Sequence, residues 1–136
     1  VRLSEELEFV KNYVAIENVR FANNIQIEVL NKIENIHNIF VPKFSIQLLV
    51  ENSIKHNNPS RKILSIAILI EKTTDNLQIT VQDNGKGVKD FKFGLGLSNL
   101  QERVRLLNNG QLENLQNESG AIFQILLKEK YENLDN

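Results

Sequence analysis

Cysteine, methionine and tryptophan are absent from this chain of 136 residues, and proline occurs only 2 times. The missing cysteine excludes disulfides, thiolate catalysis and cysteine-ligated metals, and suits a reducing cytoplasm. The missing methionine leaves no initiator, so the expectation is a piece excised from something longer. No apolar run approaches the ~18 residues that span a bilayer, and nothing has the make-up of a signal peptide. Any membrane segment would lie outside these residues. Net charge is nearly absent as well: at -1, it gives no electrostatic reason to expect a nucleic-acid or membrane-surface partner.

What is present is ordinary for a globular domain, with a hydrophobic fraction of 41% and a charged fraction of 24%. A chain of this length buries roughly two-thirds of its unfolded surface as one domain. No repeat, low-complexity stretch or linker divides it. The expected organisation is a leading helix over 1–22, a globular domain over 23–130 and a polar tail over 131–136.

Ser4, followed by Glu5 and Glu6, predicts a helix N-terminus with carboxylates over its positive end. Leu3, Leu7, Val10, Val14 and Phe21 form one apolar stripe, and Phe9, Tyr13 and Ile16 a second. Two stripes predict a helix covered on both sides, by a partner chain or by the rest of this one. Ile25, Ile27 and Val29 alternate with polar residues as in a strand, and 31–41 is polar and irregular. Pro42 is placed to open a helix, since its missing N–H is no loss there. That helix is expected to end near His56, before Asn57-Asn58-Pro59. Strands are predicted over 63–70 and 77–83, joined by a hairpin turn at 73–76, with a loop over 85–93. A helix over 94–108 presents Leu97, Leu100, Val104 and Leu107 on one face, and a last hairpin pairs 111–116 with 121–127. The pattern predicts the α+β class: a two-layer sandwich with a mixed, mostly antiparallel sheet and helices on one face.

Asp83 is the sharpest chemical clue. Leu77, Ile79 and Val81 alternate inward, and Asp83 continues their parity. A carboxylate aimed at an apolar face needs hydrogen-bond donors; an adenine amino group, directly or through water, is one. The alternative is a turn residue ahead of Asn84-Gly85. Gly85 and Gly87 permit positive φ and a close approach of backbone to a base or phosphate. Gly94 and Gly96 precede a helix, whose free N–H groups favour an anion. They are not a dinucleotide fingerprint, because Asn99 stands where the third glycine would be. Glu51, Asn52 and Lys55 share one face of the helix after Pro42. They read either as a solvated Glu–Lys pair with a polar neighbour, or as a site in which Asn52 meets magnesium and triphosphate oxygens. Of the two histidines, His37 lies in a polar stretch and His56 at a helix end, where capping is the plain reading.

Segments 49–56 (Leu-Val-Glu-Asn-Ser-Ile-Lys-His), 81–87 (Val-Gln-Asp-Asn-Gly-Lys-Gly) and 94–97 (Gly-Leu-Gly-Leu) follow one another in an informative order. Together they resemble the N, G1 and G2 boxes of the Bergerat-type ATP-binding fold shared by gyrase, Hsp90, MutL and histidine kinases. The resemblance covers nearly the whole chain. Segment 3–13, with Ile16-Glu17 and Arg20-Phe21, looks like the approach to the ATPase domain of LytS/YehU-type sensor histidine kinases. Val41-Pro42 with 47–56, and the run 94–103, look like that family too.

By that similarity Asn52 would ligate magnesium, Lys55 would approach the phosphates and His56 would belong to the nucleotide box. Asp83 would read adenine, while Gly85, Gly87, Gly94, Gly96 and Leu97 would shape the pocket. Glu51 takes the place of the general base in ATP-hydrolysing relatives, and in a kinase would assist the acceptor histidine. The resemblance implies ATP and Mg2+ as cofactors, a response regulator as partner and a homodimeric parent. It also implies a cytoplasmic domain of an inner-membrane-anchored bacterial protein, with membrane contact only through segments absent here. Two departures stand out. The family's phosphoacceptor histidine lies upstream of the Leu3 helix and is not in this sequence, and Ser119-Gly120-Ala121 stands where relatives tend to show paired glycines and threonine. The competing readings are a serine kinase of the anti-sigma-factor type on the same fold, and a nucleotide-free interaction module. The long first helix speaks against the former; Asn52, Asp83 and four box glycines speak against the latter.

Overall fold

Alternation of apolar and polar residues along the strands decides the architecture. The computed structural model describes residues 1–60, 62–74, 76–87, 91–116 and 119–128. In chain order they form α1 (Leu3–Arg20), β1 (Ile25–Asn31), a 3-10 turn (Ile36–Asn38), α2 (Ser45–Asn57) and β2 (Leu64–Lys72). There follow β3 (Asn76–Asp83), α3 (Leu95–Asn108), β4 (Gln111–Gln116) and β5 (Ile122–Lys128). The strands make one sheet in the order β1-β2-β3-β5-β4. β1 runs parallel to β2, and the other neighbours are antiparallel. A parallel pair needs a crossover, and the segment carrying α2 supplies it. The expected mixed, mostly antiparallel sheet is what forms.

Register places the apolar parity of three strands side by side. Ile68 lies opposite Val81 and Ile70 opposite Ile79, while Val81 and Ile79 face Phe123 and Ile125 on their other flank. All six are buried. Each such side chain contributes roughly 1.5–3 kcal/mol by leaving water. Leu7, Val10 and Val14 of α1, Leu49 and Ile54 of α2, and Leu100 and Val104 of α3 join them in one core. Asp83, the last residue of β3, lies opposite Ile66 on this same inward face.

The helix ends differ from the sequence expectation, for one connected reason. Ser4 does not cap α1. The helix starts at Leu3, the Arg2 N–H donates to Glu5 Oε1 at 3.0 Å, and the Ser4 hydroxyl instead meets His37 Nδ1 at 3.0 Å. Glu6 does not sit over its own helix end either; it is fully buried and caps α2. Its carboxylate accepts the N–H groups of Phe44 at 2.7 Å and of Ile46 and Gln47 at 3.0 Å each. Pro42 does not open α2. It stands ahead of it, its carbonyl accepting the Ser45 N–H at 3.1 Å, and Phe44 turns the chain through a left-handed φ of 63°. That turn aims the free N–H groups of α2 at α1, where Glu6 meets them. Burial pushes the Glu6 carboxyl above its ordinary value, and the three N–H groups only partly pull it back.

Other departures are smaller. α2 continues one residue past His56 to Asn57. The second stripe of α1 is covered only in part: Phe9 packs on Phe44 with ring centres 5.4 Å apart, but Ile16 is 68% exposed. Leu107 is 58% exposed although it lies two turns along the same face from the buried Leu100; it stands in the last turn of α3. The irregular 31–41 stretch contains the 3-10 turn and buries Ile39 and Val41. The expected tail, and parts of the 73–76 turn and the 85–93 loop, lie outside the described residues. Among the described residues no helix is long and apolar enough to cross a membrane.

Candidate functional site

Asp83 is held by the chain itself. Its Oδ2 accepts the Ser53 hydroxyl at 2.7 Å, and Oδ1 accepts the N–H groups of Gly85 at 2.9 Å and Ala121 at 3.2 Å. Both sequence readings are realised: the residue ends an inward strand face, and the Gly85 bond makes an Asx-type turn. The donors that an inward carboxylate needs come from the chain itself. Asp83 has three internal donors, and a carboxylate offers about four acceptor sites. Asp83 is therefore a fixed acceptor with room for one more donor.

The glycines divide by what surrounds them. Gly120 takes a φ of +95°, and a Cβ there would overlap the Asp83 carbonyl oxygen. The unusual Ser119-Gly120-Ala121 segment thus packs on Asp83 and donates to it. Gly87 has the expected positive φ, 75°. Gly85 does not; a Cβ there would displace the Asn57 carboxamide, which spans Ser53 O at 2.8 Å and Lys86 N at 3.2 Å. Gly94 and Gly96 are different. Among the described residues, a Cβ on Gly94 would meet nothing within 4 Å, and one on Gly96 only the Leu48 methyls, at 3.7 Å and 3.9 Å. The packing of the described residues does not ask for glycine at either position.

Both border a cleft of about 930 Å³ at the N-terminus of α3. Glu51, Asn52, Lys55 and His56 of α2 line it, as do Leu97 of α3 and Tyr13, Glu17 and Arg20 of α1. The plain Glu51–Lys55 pair is not formed: Glu51 Oε2 instead accepts from Gln47 Nε2 at 3.1 Å. Among the described residues, neither Asn52 nor Lys55 has a hydrogen-bond or ion-pair partner. The Tyr13 hydroxyl is pushed up to about 12, by burial first and then by the negative charges of Glu17 and Glu51. Acids from α1 and α2 therefore look into one space.

A second compartment of about 10 Å³ lies against Asp83 and Gly87, room for roughly one water. Asn52, His56 and Phe91 border both spaces. The Phe91 ring stands edge-on to Phe123 at 5.5 Å, to His56 at 6.0 Å and to Phe93 at 6.0 Å. His56 thus packs on a ring, and His37 borders neither space. Among the described residues no three acids or histidines gather as a metal cluster.

Of the residues that the sequence singles out for one nucleotide pocket, Glu51, Asn52, Lys55, His56, Gly94, Gly96 and Leu97 line the larger cleft, Asp83 and Gly87 the smaller one, and Gly85 neither. It missed Ser53, Asn57 and Ala121, which hold Asp83 or its loop, and no local pattern marks them. It also missed the α1 wall. There the signal existed, since Tyr13, Glu17 and Arg20 recur at helical spacing.

Comparison with known proteins bears on what such a cleft is for. A model of the family described as "Histidine kinase-, DNA gyrase B-, and HSP90-like ATPase" matches residues 43–131. An "Uncharacterized sensor-like histidine kinase" of Staphylococcus epidermidis is 42% identical over 88 residues, 65% of this chain and 17% of that protein. The "Sensor histidine kinase/phosphatase LytS" of Staphylococcus aureus is 36% identical over 98 residues, 70% of this chain and 16% of that protein. The chain thus spans less than a fifth of these relatives' length. The nucleotide-free catalytic domain of histidine kinase ThkA has a TM-score of 0.74 at 19% identity, with 97% of both chains covered. ThkA in complex with response regulator protein TrrA has a TM-score of 0.71 at 18% identity, covering 96% of this chain and 41% of that one. These structures share the fold of a mixed sheet with helices on one face. With more than half its length matched by one family, and the three box segments of the sequence drawn around adjoining spaces, the chain belongs to the histidine kinase-, DNA gyrase B- and HSP90-like ATPases.

Proposed function

We propose that this chain is the ATP-binding catalytic domain of a sensor histidine kinase. Its parent would pass the γ-phosphate of ATP to a histidine outside these residues and then to an aspartate of a response regulator. One observation carries the reading: Asn52 and Lys55 face the cleft without partners, beside two glycines that the packing does not require. ThkA, which shares the fold, is a histidine kinase seen with a response regulator.

Each side chain has a task in this reading. Asp83, fixed by Ser53, Gly85 and Ala121, has one acceptor site left for the adenine amino group. The compartment beside it is too small for a base, so Phe91 must swing away from Phe123 as adenine enters. The triphosphate lies along Gly94 and Gly96, where the first N–H groups of α3 are free. The unpartnered Asn52 fits magnesium, which takes few protein oxygens alongside phosphates and water; when bound, the ion neutralises phosphate charge. Lys55 adds a second cation. Glu51, oriented by Gln47, is the base that assists the acceptor histidine. Residues 1–22 lead in from a dimerisation region and 23–130 form the nucleotide domain. The domain works in the cytoplasm, and the homodimeric parent reaches the membrane through other segments.

Labelled ATP tests the assignment. With magnesium, the chain alone incorporates no acid-labile phosphate on His37 or His56. His56 is carried by the last turn of the helix that holds the nucleotide, unable to reach the in-line approach that transfer needs. Joined to its upstream segment, the chain labels a histidine there, and Glu51→Ala reduces that labelling. Labelling of the chain alone that vanishes in His56→Ala contradicts the proposal.

A further inference from the structure

Tyr13, Glu17 and Arg20 lie one above another near the end of α1, and all three face the space that Asn52 and Lys55 face. Arg20 is the last residue of the helix. Its guanidinium lies over the Phe21 ring, 4.8 Å from the centroid, and 3.8 Å from the Glu17 carboxylate. The two partners differ in freedom: the Glu17 side chain is 17% exposed, the Arg20 side chain 72%. The acid is set into the cleft wall, while the guanidinium has reach.

Direction follows from the two compartments. The smaller holds Asp83, and no α1 residue borders it; Asn52, His56 and Phe91 border both. A nucleotide with its base at Asp83 and its phosphates past Asn52 therefore points its last phosphate toward α1. We propose that Arg20 binds the terminal phosphate of ATP, and that Glu17 holds the guanidinium when that phosphate is missing. The inference rests on the nucleotide reading above. A guanidinium matches phosphate oxygens with paired N–H donors, and a terminal phosphate carries more charge than the carboxylate it replaces. A cation at a helix C-terminus, lying over an aromatic ring, already has a structural reason to be there. That reason does not account for its facing the cleft beside an inset acid. ADP lacks the terminal phosphate, so Arg20 distinguishes ATP from ADP and ties α1 to the state of the cleft.

Calorimetric titration of the whole chain with Mg-ATP and with Mg-ADP tests this, with thermal unfolding of each variant as the check on folding. Arg20→Gln is expected to weaken ATP about 10- to 150-fold and ADP by less than about twofold, the loss of one charge-assisted contact. Arg20→Lys recovers part of the ATP affinity. Glu17→Gln, which frees the guanidinium, binds ATP more tightly than the parent. Equal loss of ATP and ADP in Arg20→Gln, or no loss of either, overturns the role of Arg20 while nucleotide binding by the parent stands. Weaker ATP binding in Glu17→Gln overturns the holding role. A parent that binds neither nucleotide removes the underlying reading and this inference with it.

Discussion

The Ser53 hydroxyl donates to Asp83 Oδ2 across 2.7 Å, joining α2 to the end of β3 inside the buried layer. Asn52 is the residue before Ser53, so one turn of α2 sets both the acceptor proposed for a base and the oxygen proposed for a metal. Ser53→Ala leaves a buried carboxylate short of a donor and is expected to cost about 1–3 kcal/mol of stability. It also loosens Asp83, and nucleotide affinity falls with it. Urea unfolding and ATP titration check both effects; an unchanged midpoint counts against the coupling.

Glu6 makes stability depend on pH in a stated direction. Burial holds its folded pKa above the ordinary 4.5, so the folded chain binds this proton more tightly than the unfolded chain does. The contribution of the group is then full below the unfolded value and is lost as pH rises through the folded one. Glu6→Gln removes this titration. Unfolding free energies from about pH 4 to pH 7 should therefore show the parent losing stability relative to Glu6→Gln as pH rises. A relative gain contradicts the assigned sign.

Two glycines separate structure from function. Among the described residues Gly96→Ala meets only Leu48 methyls, and it replaces a poor helix former, so melting temperature is expected to hold or rise. ATP affinity falls nonetheless, because the new methyl enters the cleft. Gly120→Ala, at a φ of +95° and against the Asp83 carbonyl, is expected to cost at least ~1–3 kcal/mol. Parental ATP binding by Gly96→Ala would mean that the phosphates lie elsewhere.

The period-2 pattern of β1 and β3 was legible because alternate positions along each are apolar, and in β3 it delivered Asp83 to the right side of the sheet. Glu51, Asn52 and Lys55 were legible because helical spacing is local. Glu6 was not, since its partners at Phe44, Ile46 and Gln47 lie some forty positions on and become neighbours only once α1 packs on α2. The same tertiary contact moved the start of α2 away from Pro42. Phe91 carries no local signal, because only the packed sheet supplies the Phe123 ring on which it rests.

Titration of Mg-ATP into this chain, beside Asp83→Asn, tests the central claim most directly. The account predicts saturable binding at one site, weakened about 10- to 150-fold by Asp83→Asn, the loss of one hydrogen bond to a charged group. GTP binds less tightly than ATP, since its base offers a carbonyl where Asp83 expects a donor. No heat and no thermal shift at millimolar nucleotide, or equal affinities for ATP and GTP, would contradict it.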